Sequence, residues 1–204
     1  MATLRVGLTG GLASGKSTVA GWLREAPGLL VVDADRLVAE LYAPGGSGAA
    51  AVADLFGREA LDPAGGVDKE RMAKRIFSDD HARQALEAAI HPLVRERFRE
   101  LADAHAGLAV LEATRLVEAG YADLFDLIVS VEAPAEMRLQ RAIARGLSEG
   151  SARERLAAQG DGAVRRRVAD RILDSSGDLA SLRRQVDELL SDLERLEGSP
   201  REPS

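Results

Sequence analysis

Residues 4–20, LRVGLTGGLASGKSTVA, decide the fold of this chain. An apolar run at residues 4–8 leads into residues 10–17, GGLASGKS, which match the pattern G-x-x-x-x-G-K-[ST] at every fixed position. Residues that favour a helix follow to position 25. The pattern requires a strand, a glycine-rich loop and a helix in this order. The stretch therefore predicts a P-loop, and with it an α/β fold whose parallel sheet is wrapped by helices.

The spacing of this motif suits the binding of phosphate groups. Glycines let successive backbone amides point into one concavity, and a helix that starts there adds its own unpaired amides and its dipole. Lys16 would reach the β- and γ-phosphates of ATP, and the Ser17 hydroxyl would bind Mg²⁺. The alternative is a glycine-rich turn that binds nothing, in which a lysine and a serine would serve no purpose. The chain has three lysines against 24 arginines, and one of the three stands here.

The composition is that of an ordinary globular protein, with 46% apolar and 29% charged residues in 204. The chain lacks cysteine, which excludes disulfides and thiolate metal sites. The net charge of −6 argues against bulk nucleic-acid binding. No apolar run approaches the roughly 20 residues that span a bilayer, and no signal peptide is recognised. We expect a cytoplasmic protein, a monomer or small homo-oligomer, without nucleic-acid or membrane partners.

A second apolar run, residues 29–32, predicts a buried parallel strand that ends in Asp33-Ala34-Asp35. Ligands of open α/β sheets bind beyond the carboxyl ends of the strands, so both acids should face the same crevice as the P-loop. Asp35 would accept the proton of an attacking hydroxyl, or it would merely cap a helix starting at Arg36. Asp33 would orient Mg²⁺ through water, or it would hold the lysine or serine of the P-loop.

The sequence predicts helices through the middle of the chain. The predicted helices cover residues 34–41, 49–56, 69–77 and 92–104, and a further one follows Asp79 and ends at residue 90; Asp68 and Asp79 are the predicted caps. His91-Pro92 should interrupt the last two, because the residue before proline avoids the helical region. His91 is either a local cap or packed residue, or the titrating group of a site.

Three further strands and three helices complete the predicted core. The strands lie at residues 108–111, 127–131 and 171–173, and the helices at 133–145, 148–159 and 178–196. Thr9, Glu112 and Glu118 stand at strand ends, where they could line the crevice or approach Mg²⁺. The last residues, 198–204, should form a disordered tail.

Arginines concentrate between residues 138 and 171, where nine stand against four acids. Arg138, Arg141 and Arg145 are spaced for one helix face. Such a stripe can clamp phosphates and neutralise the charge that develops in phosphoryl transfer. The alternative for a run of charges is a solvated helix face. The scarcity of acids favours an anion site, to which residues 165–167 could add.

The order of these motifs resembles the dephospho-CoA kinase family. The resemblance rests on LTGGLASGKSTVA, VVDAD, GGVDKERMAKRIF, IHPLV, RLVEAG, QRAIARGLS, LAAQ and VADRILDSSG, which run from about residue 6 to 177. It implies transfer of the γ-phosphate of ATP to the ribose 3′-hydroxyl of dephospho-CoA. It also implies a nucleotide-binding core (1–55, 106–137 and 167–197), a helical CoA-binding insertion (56–105) and a helical lid (138–166).

The resemblance also implies roles for individual residues. The ATP phosphates would be held by Gly11, Leu12, Ala13, Ser14, Gly15, Lys16, Ser17 and Thr18, with Arg145 beside them. Asp35 would be the general base, and Arg141 would bridge the phosphates in the transition state. The acceptor would be contacted by Thr9, His91 and Glu118.

Two departures from the family pattern concern the substrate pockets. Residues 113–117, ATRLV, replace a usual proline-leucine-leucine run, which affects the predicted acceptor pocket. The family also carries an asparagine before the glycine that matches Gly177, whereas this chain has no asparagine and Ser175 stands near that place.

Two other functions are compatible with the P-loop. The first is a small-molecule kinase acting on a nucleoside, a nucleotide or a sugar acid. The second is a GTPase switch or an ATPase motor. A protein that recognises the guanine base would normally need an Asn-Lys-x-Asp segment. An acceptor test with ATP separates these alternatives.

Overall fold

The computed structural model describes residues 3–117 and 119–197, and the predicted tail at 198–204 lies outside them. One or more α-helices separate three of the four consecutive pairs of strands along the chain. In chain order the elements are β1 (Leu4–Gly10), α1 (Lys16–Glu25), β2 (Leu29–Asp33), α2 (Ala34–Leu41), α3 (Ser47–Phe56), α4 (Lys69–Ser78), α5 (Asp80–Asp103), β3 (Leu108–Glu112), β4 (Leu127–Glu132), α6 (Ala135–Ala144), α7 (Glu149–Ala158), α8 (Ala163–Val168), β5 (Arg171–Asp174) and α9 (Leu179–Glu197). Short 3₁₀ turns occur at Arg58–Ala60 and Ala122–Leu124.

The five strands form one sheet in the order β2-β3-β1-β4-β5. Strand β1 pairs in parallel with β3 on one side and β4 on the other, and β4 pairs in parallel with β5. This arrangement places β1, and the loop that follows it, in the middle of the sheet. The predicted α/β class with a parallel sheet is confirmed.

The chain divides into two compact units. One runs to Val31 and resumes at Ala102, and the other is Val32–Leu101. The first unit has an aliphatic core, as the scarcity of aromatic residues predicts. This core joins β1, β3 and β4 to α1 and α9, and its fully buried members include Leu8, Val19, Val110, Val129 and Val186. The division of the sequence into core, insertion and lid remains a prediction.

Helix α5 corrects the predicted break at His91-Pro92. The helix is continuous from Asp80 to Asp103 with Pro92 in its interior. Ile90, Val94 and Phe98 recur at four-residue spacing and are all buried, whereas Pro92 is exposed. Burial along one long helix face therefore outweighs the local preference of the residue before proline. The predicted caps Asp68 and Asp79 accept hydrogen bonds from the first turns of α4 and α5.

Replacing Pro92 with alanine is expected to raise the free energy of unfolding by about 1–2 kcal/mol. Proline costs roughly 3 kcal/mol relative to alanine inside a helix, because it lacks an amide and crowds the preceding turn. Part of this gain is lost because proline also restricts the unfolded chain. Urea unfolding of the two proteins measures the difference, and a less stable alanine variant would contradict this explanation.

Candidate active site

The P-loop joins the carboxyl end of β1 to the start of α1, as the sequence predicts. Gly15 immediately precedes α1 and has a φ of 98°, a conformation that favours glycine. The amides of Thr18 and Val19 both donate to the Gly15 carbonyl, which closes the first turn. The Lys16 and Ser17 amides, at the first two helix positions, have no carbonyl four residues back within the helix. They are therefore suited to bind an anion.

Gly10 lies so close to its neighbours that a side chain would not fit. A β-carbon on Gly10 would stand 2.7 Å from the Val131 carbonyl oxygen and 2.6 Å from Ser14 Oγ. Ser14 itself is 1% exposed, and within the described residues its hydroxyl has no hydrogen-bond partner. The loop is thus closely packed on β4 and holds a buried hydroxyl group beside Gly10.

Replacing Gly10 with alanine is expected to lower the free energy of unfolding by about 2 kcal/mol, since a methyl group forced into a packed site strains its surroundings. Gly21, in the interior of α1, is the matched control because a β-carbon there meets nothing within 4 Å. Gly21→Ala should add roughly 0.5–1 kcal/mol of stability. Denaturant unfolding compares both variants, and equal effects of the two substitutions would contradict the packing argument.

Lys16 forms an ion pair with Glu112, the last residue of β3. Its Nζ lies 2.7 Å from Glu112 Oε1, and the other oxygen, Oε2, accepts from Arg24 Nη2 at 2.8 Å. Asp33 caps α2, with Oδ1 accepting from the Asp35 amide at 2.8 Å. Its two hypothesised roles, orienting Mg²⁺ through water or holding the lysine or serine of the P-loop, stay predictions. The pairing of Lys16 with Glu112 was not predicted, because the two residues are 96 positions apart.

Asp35 lies in the first turn of α2, with its side chain exposed. Since α2 begins at Ala34 and Asp33 is its cap, the alternative that Asp35 caps a helix starting at Arg36 is wrong. The carboxylate is therefore not needed for capping. Its role as a general base stays a prediction.

Three further residues are predicted to contact the phosphoryl acceptor, and their surroundings differ. Thr9 is fully buried, and its hydroxyl donates to the Thr114 carbonyl at 3.3 Å. His91 is half-buried on α5. Glu118 lies outside the described residues. The contacts of these three residues with an acceptor stay predictions.

The arginines of α6 serve different purposes. Arg138 is buried and braces the P-loop. Its Nε donates to the Leu12 carbonyl at 2.9 Å, and its Nη2 donates to Gln159 Oε1, which also accepts from the Leu12 amide. Burial, followed by the nearby charge of Arg165, lowers the pKa of Arg138. The solvated-face alternative is therefore wrong for Arg138.

Arg141 and Arg145 line a cavity of about 170 Å³ beside the P-loop. Arg141 Nη1 donates to Ser175 Oγ at 3.0 Å and Nη2 to the Ser175 carbonyl at 2.7 Å. The other walls of the cavity include Gly15, Thr18, Leu179 and Leu182. Ser175, noted above as a departure from the family pattern, therefore positions a predicted phosphate-binding arginine.

Arg165 is also buried, which the sequence did not indicate. It pairs with Glu132 at 3.4 Å, while Arg166 lies 3.9 Å from the same carboxylate. Glu132 Oε1 also accepts from Ser130 Oγ at 2.7 Å. This group of charges fixes α8, a helix that was not predicted, against β4. A contribution from residues 165–167 to an anion site stays a prediction.

The second unit contains a larger cavity of about 680 Å³. Small residues of α3 and its flanking loop form one wall, including Gly46, Ala49 and Ala53. Asp54 and Arg58 add charged groups. A volume in this range is typical of sites for small organic ligands.

A parallel sheet with this loop after its central strand defines the P-loop nucleotide-binding class of α/β proteins. Comparison with known proteins narrows the assignment. The family model described as CoaE, dephospho-CoA kinase, matches residues 4–181. The chain belongs to the dephospho-CoA kinase family.

Individual relatives agree with this assignment. A Streptomyces avermitilis protein named dephospho-CoA kinase is 42% identical over 193 residues, which cover 93% of this chain and 94% of the relative. A crystal structure of a Thermus thermophilus protein matches with a TM-score of 0.78 and 35% identity, over 95% of this chain and 99% of that one. A dephospho-CoA kinase from Campylobacter jejuni matches with a TM-score of 0.67 over 94% and 97% of the two chains, and at 22% identity it supports the fold alone.

No helix within residues 3–117 and 119–197 combines the length and the apolar character needed to cross a membrane. The longest, α5, has 24 residues and many charged side chains.

Proposed function

We propose that this chain transfers the γ-phosphate of ATP to the ribose 3′-hydroxyl of dephospho-CoA, giving coenzyme A and ADP in the last step of coenzyme A synthesis. The observation that carries the proposal is the family match over residues 4–181, which includes the complete P-loop. The identity of 42% with a relative of nearly equal length supports the same reaction.

The P-loop would bind the triphosphate. Amides at the start of α1 and the Lys16 ammonium group would contact its oxygens. The cavity beside Gly15, with Leu182 and Arg141 in its walls, would receive the base of ATP.

Mg²⁺ would enter with the nucleotide. Such an ion keeps water and phosphate ligands and needs only one or two protein oxygens. Ser17 fits this requirement, since its side chain is exposed on the first turn of α1. Within residues 3–117 and 119–197 there is no group of three or more His, Cys, Asp or Glu that could hold a metal ion. When bound, it neutralises charge on the β- and γ-phosphates.

Asp35 would orient the 3′-hydroxyl and accept its proton. Arg141 and Arg145 would neutralise the charge on the transferred phosphoryl group and help to exclude water. Thr9, His91 and Glu118 would contact the acceptor. The cavity of the second unit has the size to take part of dephospho-CoA. The cytoplasmic location, the monomeric or small homo-oligomeric state and the absence of nucleic-acid partners stay predictions.

An acceptor panel tests this function. We expect ADP formation from Mg-ATP to be fast with dephospho-CoA and near background with a nucleoside, a nucleotide or a sugar acid. The product should gain one phosphate on the ribose 3′ oxygen, which phosphorus NMR identifies. Faster turnover with another acceptor would overturn the substrate assignment.

A further inference from the structure

Glu112 is shared by two cations that come from opposite ends of α1. Lys16 begins this helix and Arg24 lies in its last turn, two helical turns away. Each cation bonds a different carboxylate oxygen, Lys16 at 2.7 Å and Arg24 at 2.8 Å. The Glu112 side chain is only 6% exposed, against 16% for Lys16 and 41% for Arg24. The buried Glu112 carboxylate therefore has a cationic partner on each of its two oxygens.

A bound triphosphate would compete with Glu112 for the Lys16 ammonium group. If Lys16 were the only partner of Glu112, turning it toward phosphate would leave a buried charge unpaired. Breaking a buried ion pair in this way typically costs about 3–5 kcal/mol. The second cation removes most of this penalty, because Arg24 stays on the opposite oxygen.

We propose that Arg24 is a positioning residue for nucleotide binding. It keeps Glu112 neutralised and oriented, so that Lys16 can turn from the carboxylate to the phosphates at little cost. The proposal deepens the proposed function and depends on ATP being the P-loop ligand. It does not depend on the identity of the phosphoryl acceptor.

A purely structural role for Arg24 makes a different prediction. A cation in the last turn of a helix interacts favourably with the helix dipole, and the contact with Glu112 ties α1 to β3. Both effects would change the stability of the protein. Neither would change the affinity of the folded protein for ATP.

The test is calorimetric titration of the full chain with ATP in EDTA, which removes any contribution from Mg²⁺. Arg24→Met is expected to weaken ATP binding about tenfold, or roughly 1.4 kcal/mol. Arg24→Lys should restore most of the affinity, since it returns the charge. Arg171→Met is the matched control. Arg171, on β5, also forms an ion pair, with Asp192 at 2.8 Å. Its replacement should leave ATP binding unchanged. Wild-type affinity in Arg24→Met would overturn the proposal.

A double variant separates the charge effect from a general loss of structure. In Arg24→Met/Glu112→Gln the neutral amide no longer retains Lys16, so the affinity should return to within about threefold of wild type. A double variant that binds ATP as weakly as Arg24→Met would also overturn the proposal.

Thermal unfolding of each variant checks that the fold is retained. Should Arg24→Met not fold, Arg24→Gln keeps a hydrogen-bond donor without the charge and carries the same expectation. Because the titration contains no acceptor, its outcome is independent of the acceptor panel. If the panel shows no preference for dephospho-CoA, the substrate assignment is wrong. The titration still tests the role of Arg24 in ATP binding.

Discussion

Replacing Lys16 with methionine is expected to lower kcat/KM by about a thousandfold or more. The ammonium group would contact the β- and γ-phosphates, where charge accumulates as the bond to the leaving ADP lengthens. A thousandfold loss corresponds to roughly 4 kcal/mol of transition-state stabilisation, which is typical for one charged group aimed at developing charge. Steady-state ADP formation with dephospho-CoA measures the effect.

The Lys16 variant should remain folded, because Glu112 keeps its contact with Arg24. Lys74→Met is the matched control. Lys74 pairs with Glu70 one helical turn away on α4, and its side chain is 76% exposed, so both activity and stability should be nearly unchanged. Activity of Lys16→Met within about tenfold of wild type would show that the P-loop does not act on the phosphates as described.

Asp35→Asn is expected to lower kcat about a hundredfold while the KM for ATP changes less than threefold. General-base catalysis typically contributes about 10²–10⁴-fold. Asparagine keeps the shape of the side chain but cannot accept the proton of the 3′-hydroxyl. The base acts on the acceptor and not on the nucleotide, so ATP binding should be largely spared. Initial rates over a range of both substrates separate kcat from the two KM values.

Asp80→Asn provides the control for Asp35. Like Asp35, Asp80 is exposed in the first turn of a helix of the second unit, and it pairs with Arg83, one helical turn away. Its kcat should equal that of the wild-type protein. Turnover in Asp35→Asn close to wild type would refute the assignment of Asp35 as the base.

Local sequence signals predicted most of the secondary structure. The helix at Ala34–Leu41 was predicted with the bounds observed, and Asp68 and Asp79 cap as expected. These features depend on neighbouring residues, whose side chains bond nearby amides. The P-loop is local in the same sense, because strand, loop and helix are contiguous.

Predictions failed where distant contacts decide the structure. The proline signal in α5 is local, but burial of Val94 and Phe98 on one helix face outweighs it. Spacing placed Arg138 and Arg141 on one helix face, and it could not reveal that Arg138 is buried against Leu12, which is 126 residues away.

The sequence does indicate that Arg24 and Lys16 lie near each other on α1. Arg24 lies eight residues after Lys16, which brings the two side chains near one face of α1. The carboxylate that they share could not be identified in this way, because it comes from the end of another strand. Pairing of β1 with β3 brings Glu112 opposite Leu8, just before the P-loop.

The most direct test of phosphoryl transfer by this P-loop is ADP formation from Mg-ATP with and without dephospho-CoA. We expect slow ADP formation from Mg-ATP alone and a large stimulation by dephospho-CoA, with one ADP formed for each coenzyme A. ADP formation at the same rate with and without dephospho-CoA, and no coenzyme A produced, would contradict this expectation.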